Sequence, residues 1–489
     1  MLQMRTATVL AACALAALAA WPFAFAHLSA HAVLAAPATP APVVADYRYR
    51  DGMIADLERM ARRHPDQLDE HMLAVQYLQR YREAPDVGDL QRAIAAARES
   101  LRYQPRYNVG AEAALASAYT SLHKFRIARR YASELAGWMP WDSGAHASLA
   151  SLEMELGDYA GAKRLLRTSP SGRLDPTWET TIARYDELTG EVSEARAHLG
   201  KALVEIDSRV NEPAEVRAWY HWRAGELAFM DGDLDAAQRH YRDALAIFPN
   251  YWHANNGLAR LYWAQRRWRE ALAAADLSAG VYPLPETLGY KADAQRALGD
   301  VAGARTTQAL IEAIERLGDL QGVNDRLIAS YYSEHGIRLD HAVAVAQRDL
   351  RNRDDIYAED TLAWALAMDG RWKDALPHAR RAGMLGTRDA RLLFHIGTIA
   401  LHNGEFSDAR ASLEAALAVN PHFHPRYADE ARAELAILRE IANGVCVQDL
   451  RTASNRSSSA SHARLRSSLA KDALKPLRAR LASSTAGKP

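Results

Sequence analysis

His422 and His424 flank Phe423 directly after Pro421, and His395 and His402 lie seven residues apart just upstream. Imidazole is the commonest metal ligand and the usual general base, but a metal site needs three or four ligands converging on one point. A solvated loop accounts for His422 and His424, and packing or surface roles suffice for His395 and His402, so no metal is expected. Acidic pairs such as Asp354-Asp355 sit in turn-like contexts, where capping of a helix N-terminus is the ordinary use of an aspartate. Of the two cysteines, Cys13 and Cys446, the second has no evident histidine partner. Two thiols build neither a disulfide framework nor a cysteine zinc site. No P-loop, no GxGxxG after a strand, no HExxH and no GxSxG occurs. The residues able to do chemistry therefore form no enzymatic constellation, and neither catalysis nor a cofactor is expected.

What organises the chain is a period. Pro249 and Pro283 are 34 residues apart, as are Ala237 and Ala271, Gly225 and Ala259, and Leu227 and Leu261. On both sides of Asp231-Gly232-Asp233, apolar or small residues recur at helical spacing, which reads as helix, tight turn, helix. Small residues let paired helices approach closely, and a proline ends the second helix. In this unit Gly225, Gly232, Ala237, Tyr241, Ala244 and Pro249 resemble the tetratricopeptide repeat pattern. The same register carries Gly404, Ala409, Ala416 and Pro421, then Gly370, Ala375 and Ala382, and weaker copies back to Ala93, Ala97 and Pro105. About ten helical pairs fit between residues 66 and 424, clearest at 218–251, 252–284, 356–389 and 390–423. The solenoid is assigned to 46–424 and a solvating cap helix to 425–442.

The resemblance implies an all-α fold, a right-handed superhelix of about ten helix-turn-helix repeats with helix A of each pair facing a concave groove. It also implies a non-catalytic scaffold or adaptor that holds a peptide or protein segment in that groove. The alternative is an accessory or regulatory subunit of an envelope enzyme, transporter or polymer-export complex. Carried onto this chain, the groove positions are Trp219, Trp222, Glu226 and Phe229 in one repeat and His253, Asn256, Arg260 and Trp263 in the next. A second polar-aromatic stretch is Tyr357, Asp360, Trp364, Arg391 and Phe394. Aromatic rings bury large area with few rotatable bonds, and arginine offers a bidentate donor to a carboxylate. Packing is the alternative role for some of the tryptophans, five of which fall between residues 219 and 268.

The ends are different objects. A short basic start, the apolar run Thr6–Ala20 and the small-x-small triplet Ala24-Phe25-Ala26 have the form of a secretory signal peptide over 1–26. An Ala/Pro-rich leader follows over 27–45. A periplasmic or secreted bacterial protein is expected, with inner-membrane anchoring by residues 6–26 as the alternative. Sixty basic residues balance sixty acidic ones, which excludes a surface basic all over and with it general nucleic-acid binding. The balance hides a split, because 451–489 carries nine Lys or Arg, nine Ser and a single acid, Asp472. This tail is expected to be disordered and solvated, with docking onto the acidic solenoid or contact with a membrane or polyanion as alternatives.

Overall fold

The computed structural model describes residues 45–167, 172, 174–318 and 324–442. The signal segment, the leader up to residue 44, Cys446 and the basic tail lie outside them. The described residues form 22 helices and no strand. No helix among them is long and apolar enough to cross a membrane.

Helix α1 (Ala45–Arg63) precedes ten antiparallel pairs, and α22 (Tyr427–Ala442) follows them. The pairs are α2 (Gln67–Glu83) with α3 (Val87–Tyr103), α4 (Val109–Ser121) with α5 (Phe125–Trp138), and α6 (Ser143–Glu155) with α7 (Tyr159–Leu166). Next come α8 (Pro176–Leu188) with α9 (Val192–Ser208), α10 (Ala214–Met230) with α11 (Leu234–Ile247), and α12 (Trp252–Ala264) with α13 (Trp268–Val281). The last four are α14 (Pro285–Ala297) with α15 (Val301–Gly318), α16 (Asp325–His335) with α17 (Leu339–Asn352), α18 (Ile356–Met368) with α19 (Trp372–Ala382), and α20 (Ala390–His402) with α21 (Phe406–Val419). The fold is thus an α-solenoid. Asp355 caps α18 by accepting from the N–H groups of Tyr357 and Ala358, the role its turn-like context suggests.

Alanines at the repeat positions are the contact surface. Ala237, Ala244, Ala271, Ala375, Ala409 and Ala416 are all fully buried, so backbones meet at close range. Tyr241 fills the space between adjacent first helices. Its ring lies where a Cβ on Gly225 or on Gly257 would come within 2.5 Å. The tight turn inside each pair needs a left-handed residue. Gly232 and Gly404 supply it at φ 81° and 80°, but His123 and Arg266 occupy the corresponding turns at φ 54° and 60°. Those two turns are invisible to a search for glycine.

The solenoid winds back on itself. The Tyr159 hydroxyl accepts from the Ile356 N–H at 2.8 Å, across 197 residues. Arg353 pairs with Glu155 at 2.5 Å, the Thr387 hydroxyl donates to the Glu187 carbonyl at 3.2 Å, and the Asn420 amide donates to the Phe229 carbonyl at 2.8 Å. Arg266 pairs with Asp429 on α22. Around these contacts Ala150, Met154, Tyr159, Leu188, Ile356, Ala382 and Leu392 form one apolar cluster. Repeats roughly six apart therefore share a core, which a strictly one-dimensional array would not have.

Candidate functional site

Seven first helices, α8, α10, α12, α14, α16, α18 and α20, wall a cavity of about 420 Å³. The loop Asn420–His424 closes it on the side of α22. The volume is that of a pocket for a small-molecule-sized group. An extended peptide running the length of the concave face would not fit it.

Eight of the residues placed in the groove from sequence line this cavity: Trp222, Glu226, Phe229, Arg260, Trp263, Tyr357, Asp360 and Arg391. The other five do not. Trp219 belongs to a smaller pocket with Thr177, Thr180 and Tyr220. His253 is stacked on Trp252, ring centroids 3.4 Å apart, and burial pushes its pKa down to about 3. Asn256 is a brace that donates to Glu286 at 3.1 Å and accepts from the Thr287 hydroxyl at 2.7 Å. Trp364 and Phe394 are core residues, 2% and 0% exposed. The Trp364 indole N–H donates to the Tyr427 hydroxyl at 3.1 Å, and Phe394 stacks on the Tyr427 ring at 4.8 Å.

The histidines correct the sequence reading. His422 is exposed, but His424 is buried at 4% rather than solvated. Its Nδ1 accepts from the N–H groups of Arg426 and Tyr427, so a neutral imidazole caps the entry to α22. Burial first, then the nearby Arg426 and Arg391, hold its pKa well below the ordinary range. His395 faces Asp360 at 2.9 Å, and His402 stacks flat on Trp372 at 3.5 Å.

The cavity wall carries both charges. Arg260 donates to Glu226 at 2.8 Å and to the Tyr241 hydroxyl at 3.2 Å, and Tyr241 in turn donates to Glu226 at 2.8 Å. The Arg260 guanidinium also lies 4.2 Å from the Phe229 ring centre, a cation–π contact. Burial pushes the Glu286 carboxyl up, but Arg260 and Arg391 outweigh it and hold the group below the carboxylate range. Glu187 is shared by Arg184 and Arg223. The His335 Nε2–H donates to the Asp293 carboxylate, 3.0 Å away. Burial opposes protonation of His335, yet Asp293 raises its pKa above the ordinary value. Arg391 reaches Glu334 at 3.4 Å.

Arg326 is the exception. It lines the cavity, and among the described residues no carboxylate lies within 4.0 Å of it. Burial, then Arg353, lower its pKa and outweigh the more distant Asp355, Asp349 and Glu155. The sequence does not single out Arg326, because its repeat is marked only by Ala342 and Ala346 and lacks the terminal proline that fixes register. Asp389 adds to the acidic side of the wall, which holds seven Asp or Glu against five Arg.

Comparison with known proteins agrees with the architecture. The family pattern described as tetratricopeptide repeat matches residues 228–282 and, in a second form, residues 390–423. No curated protein matches the chain. Among solved structures, the human IFIT1 dimer with m7Gppp-AAAA is similar at 16% identity and TM-score 0.45, over 70% of this chain and 77% of that one. The yeast Tom70 is similar at 13% identity and TM-score 0.33, over 83% and 96%. The APC/C hetero-tetramer Cut9-Hcn1 is similar at 12% and TM-score 0.31, over 80% and 94%.

Proposed function

This chain is a tetratricopeptide-repeat protein, and we propose that it is a non-catalytic scaffold of the bacterial cell envelope that captures a short carboxylate-bearing segment of a partner protein. The observation that carries the reading is Arg326, a cavity arginine with no carboxylate within 4.0 Å among the described residues. A half-buried cation without a salt bridge is poorly compensated, and a guest carboxylate would offset that with a charge-assisted, bidentate hydrogen bond. Trp222, Trp263, Tyr290 and Tyr331 stand around the same cavity and supply apolar surface for the rest of the segment. The excess of acids over arginines in the wall opposes a multiply charged phosphate chain more strongly than a single carboxylate.

The cavity volume sets the guest's size at a chain terminus or one side chain with its neighbours. A photo-crosslinking residue at Ser330, one turn from Arg326 in the wall, tests this in cells. A discrete crosslinked partner is expected, lost in Arg326→Ala and in Trp222→Ala. An unchanged crosslinking pattern in both variants overturns the reading. Export rests on residues 1–26. Sequencing the N-terminus of the periplasmic protein should begin after Ala26; a membrane-bound chain beginning at Met1 overturns cleavage in favour of anchoring.

A further inference from the structure

We propose that His221, His240 and Asp243 form a zinc site on the fifth repeat, apart from the cavity. His221 lies on α10 and His240 and Asp243 on α11, three residues apart and so on one helical face. One ligand atom from each of the three lies within 4.8 Å of the others. The Nδ1 atoms of both imidazoles are buried with no hydrogen-bond partner, although a buried polar atom is costly to leave unmade. Two such orphans side by side need a common partner. A cation that accepts a lone pair from each is one that fits.

The surroundings resemble those of a bound metal. Both carboxylate oxygens of Asp207, at the end of α9, lie 3.2 Å from Nε2 of His221. A carboxylate on the far nitrogen fixes the tautomer that leaves Nδ1 free to ligate, the usual support for a metal-bound histidine. Asp243 is exposed and free to swing. Tetrahedral zinc with bonds of about 2.0–2.1 Å needs ligand atoms about 3.3 Å apart, a closure within reach of side-chain rotation. Two imidazoles and one carboxylate suit zinc, and a fourth position would stay open to water. The ion would clamp α10 to α11 and, through Asp207, to α9 of the preceding repeat.

The test is calorimetric titration of the tag-free, metal-stripped full chain with zinc chloride at pH 7.5. One equivalent is expected to bind. His240→Ala and His221→Ala should each weaken binding by at least tenfold, and Asp207→Asn should weaken it about 10–100-fold with unchanged stoichiometry. Circular dichroism of the metal-free variants checks that each folds. The visible spectrum of the cobalt-substituted protein should show a tetrahedral site, lost in His240→Gln if the alanine variant fails to fold. Absence of binding, or binding equal to wild type in both histidine variants, overturns the proposal.

Discussion

The hydroxyl of Tyr159 accepts the Ile356 N–H at 2.8 Å, joining the third repeat to the ninth. This contact belongs to a seam in which turn glycines of early repeats meet backbone carbonyls of late ones. A Cβ on Gly157 would run into the Asp354 carbonyl, one on Gly190 into Gly386, and one on Gly232 into Val419. The seam turns an open groove into a walled cavity, so the site exists only if the solenoid closes.

Gly157 and Gly370 separate closure from local strain. Both are left-handed, at φ 78° and 83°, but a Cβ on Gly370 meets nothing within 4 Å. Gly370→Ala should therefore cost only the backbone penalty, about 1–2 kcal/mol. Gly157→Ala should cost more and open the seam. Small-angle scattering should show a larger radius of gyration for Gly157→Ala alone; equal radii for the two variants would refute closure as the cause.

Adding a methyl group beside Tyr241 tests the packing of the repeats. Gly257→Ala gains helix propensity of about 1 kcal/mol. It also drives a Cβ to 2.5 Å from a fully buried ring, and overpacking of this kind costs about 1–3 kcal/mol. The clash should win, with a lower denaturant midpoint and a weakened Arg260–Glu226–Tyr241 network. Tyr241→Leu in the Gly257→Ala background should recover part of the loss.

How far the sequence foretold the molecule can be seen at individual positions. The 34-residue period fixed which face of each first helix turns inward, which is why Trp222, Arg260 and Tyr357 reach one cavity. It misjudged Trp364 and Phe394 because their neighbour is Tyr427, 63 residues beyond Trp364, on a helix outside the repeat. The reading of His424 failed for the same reason: its loop is covered by Trp263, whose ring lies 4.5 Å away. Closure itself leaves no trace in a local pattern, since a turn glycine looks the same whether or not a carbonyl lies against it. His221 and His240 are 19 residues apart with no recognisable spacing. Only the antiparallel pairing of α10 and α11 brings them together.

Arg326 and Arg260 should respond differently to the same substitution. Arg260→Met strands Glu226 and Glu286 without their guanidinium; the Arg260–Glu226 pair is about one-fifth exposed, so the loss should fall below the roughly 3–5 kcal/mol of a fully buried pair. The loss should shrink when Glu226→Gln is added. Arg326→Met removes a cation that has no carboxylate within 4.0 Å among the described residues and feels Asp355, Asp349 and Glu155 only from farther away, so stability should change little while crosslinking at Ser330 disappears. A melting temperature for Arg326→Met as low as that of Arg260→Met would show that Arg326 holds the fold together rather than serving a guest.

Glu434 gives the molecule a pH dependence of definite sign. It lies on α22, buried at 2%, and accepts from the Thr398 hydroxyl at 2.8 Å. Burial pushes its carboxyl up to about 8 against that hydrogen bond, with Glu430 adding to the rise. The folded pKa is above the unfolded one, so the folded chain holds the proton more tightly. Its contribution is full below about pH 4.5 and is lost as the pH climbs through 8. Asp349, raised to about 6, and Glu112, raised to about 7, act in the same direction. Glu434→Gln keeps an acceptor for Thr398 and cannot ionise. It should stabilise the packing of α22 by at least about 1 kcal/mol near pH 8.5 and by nothing measurable near pH 4.5. Hydrogen exchange of the α22 amides reads this directly. A benefit that is the same at both pH values would mean that the glutamine packs better and that the charge is irrelevant.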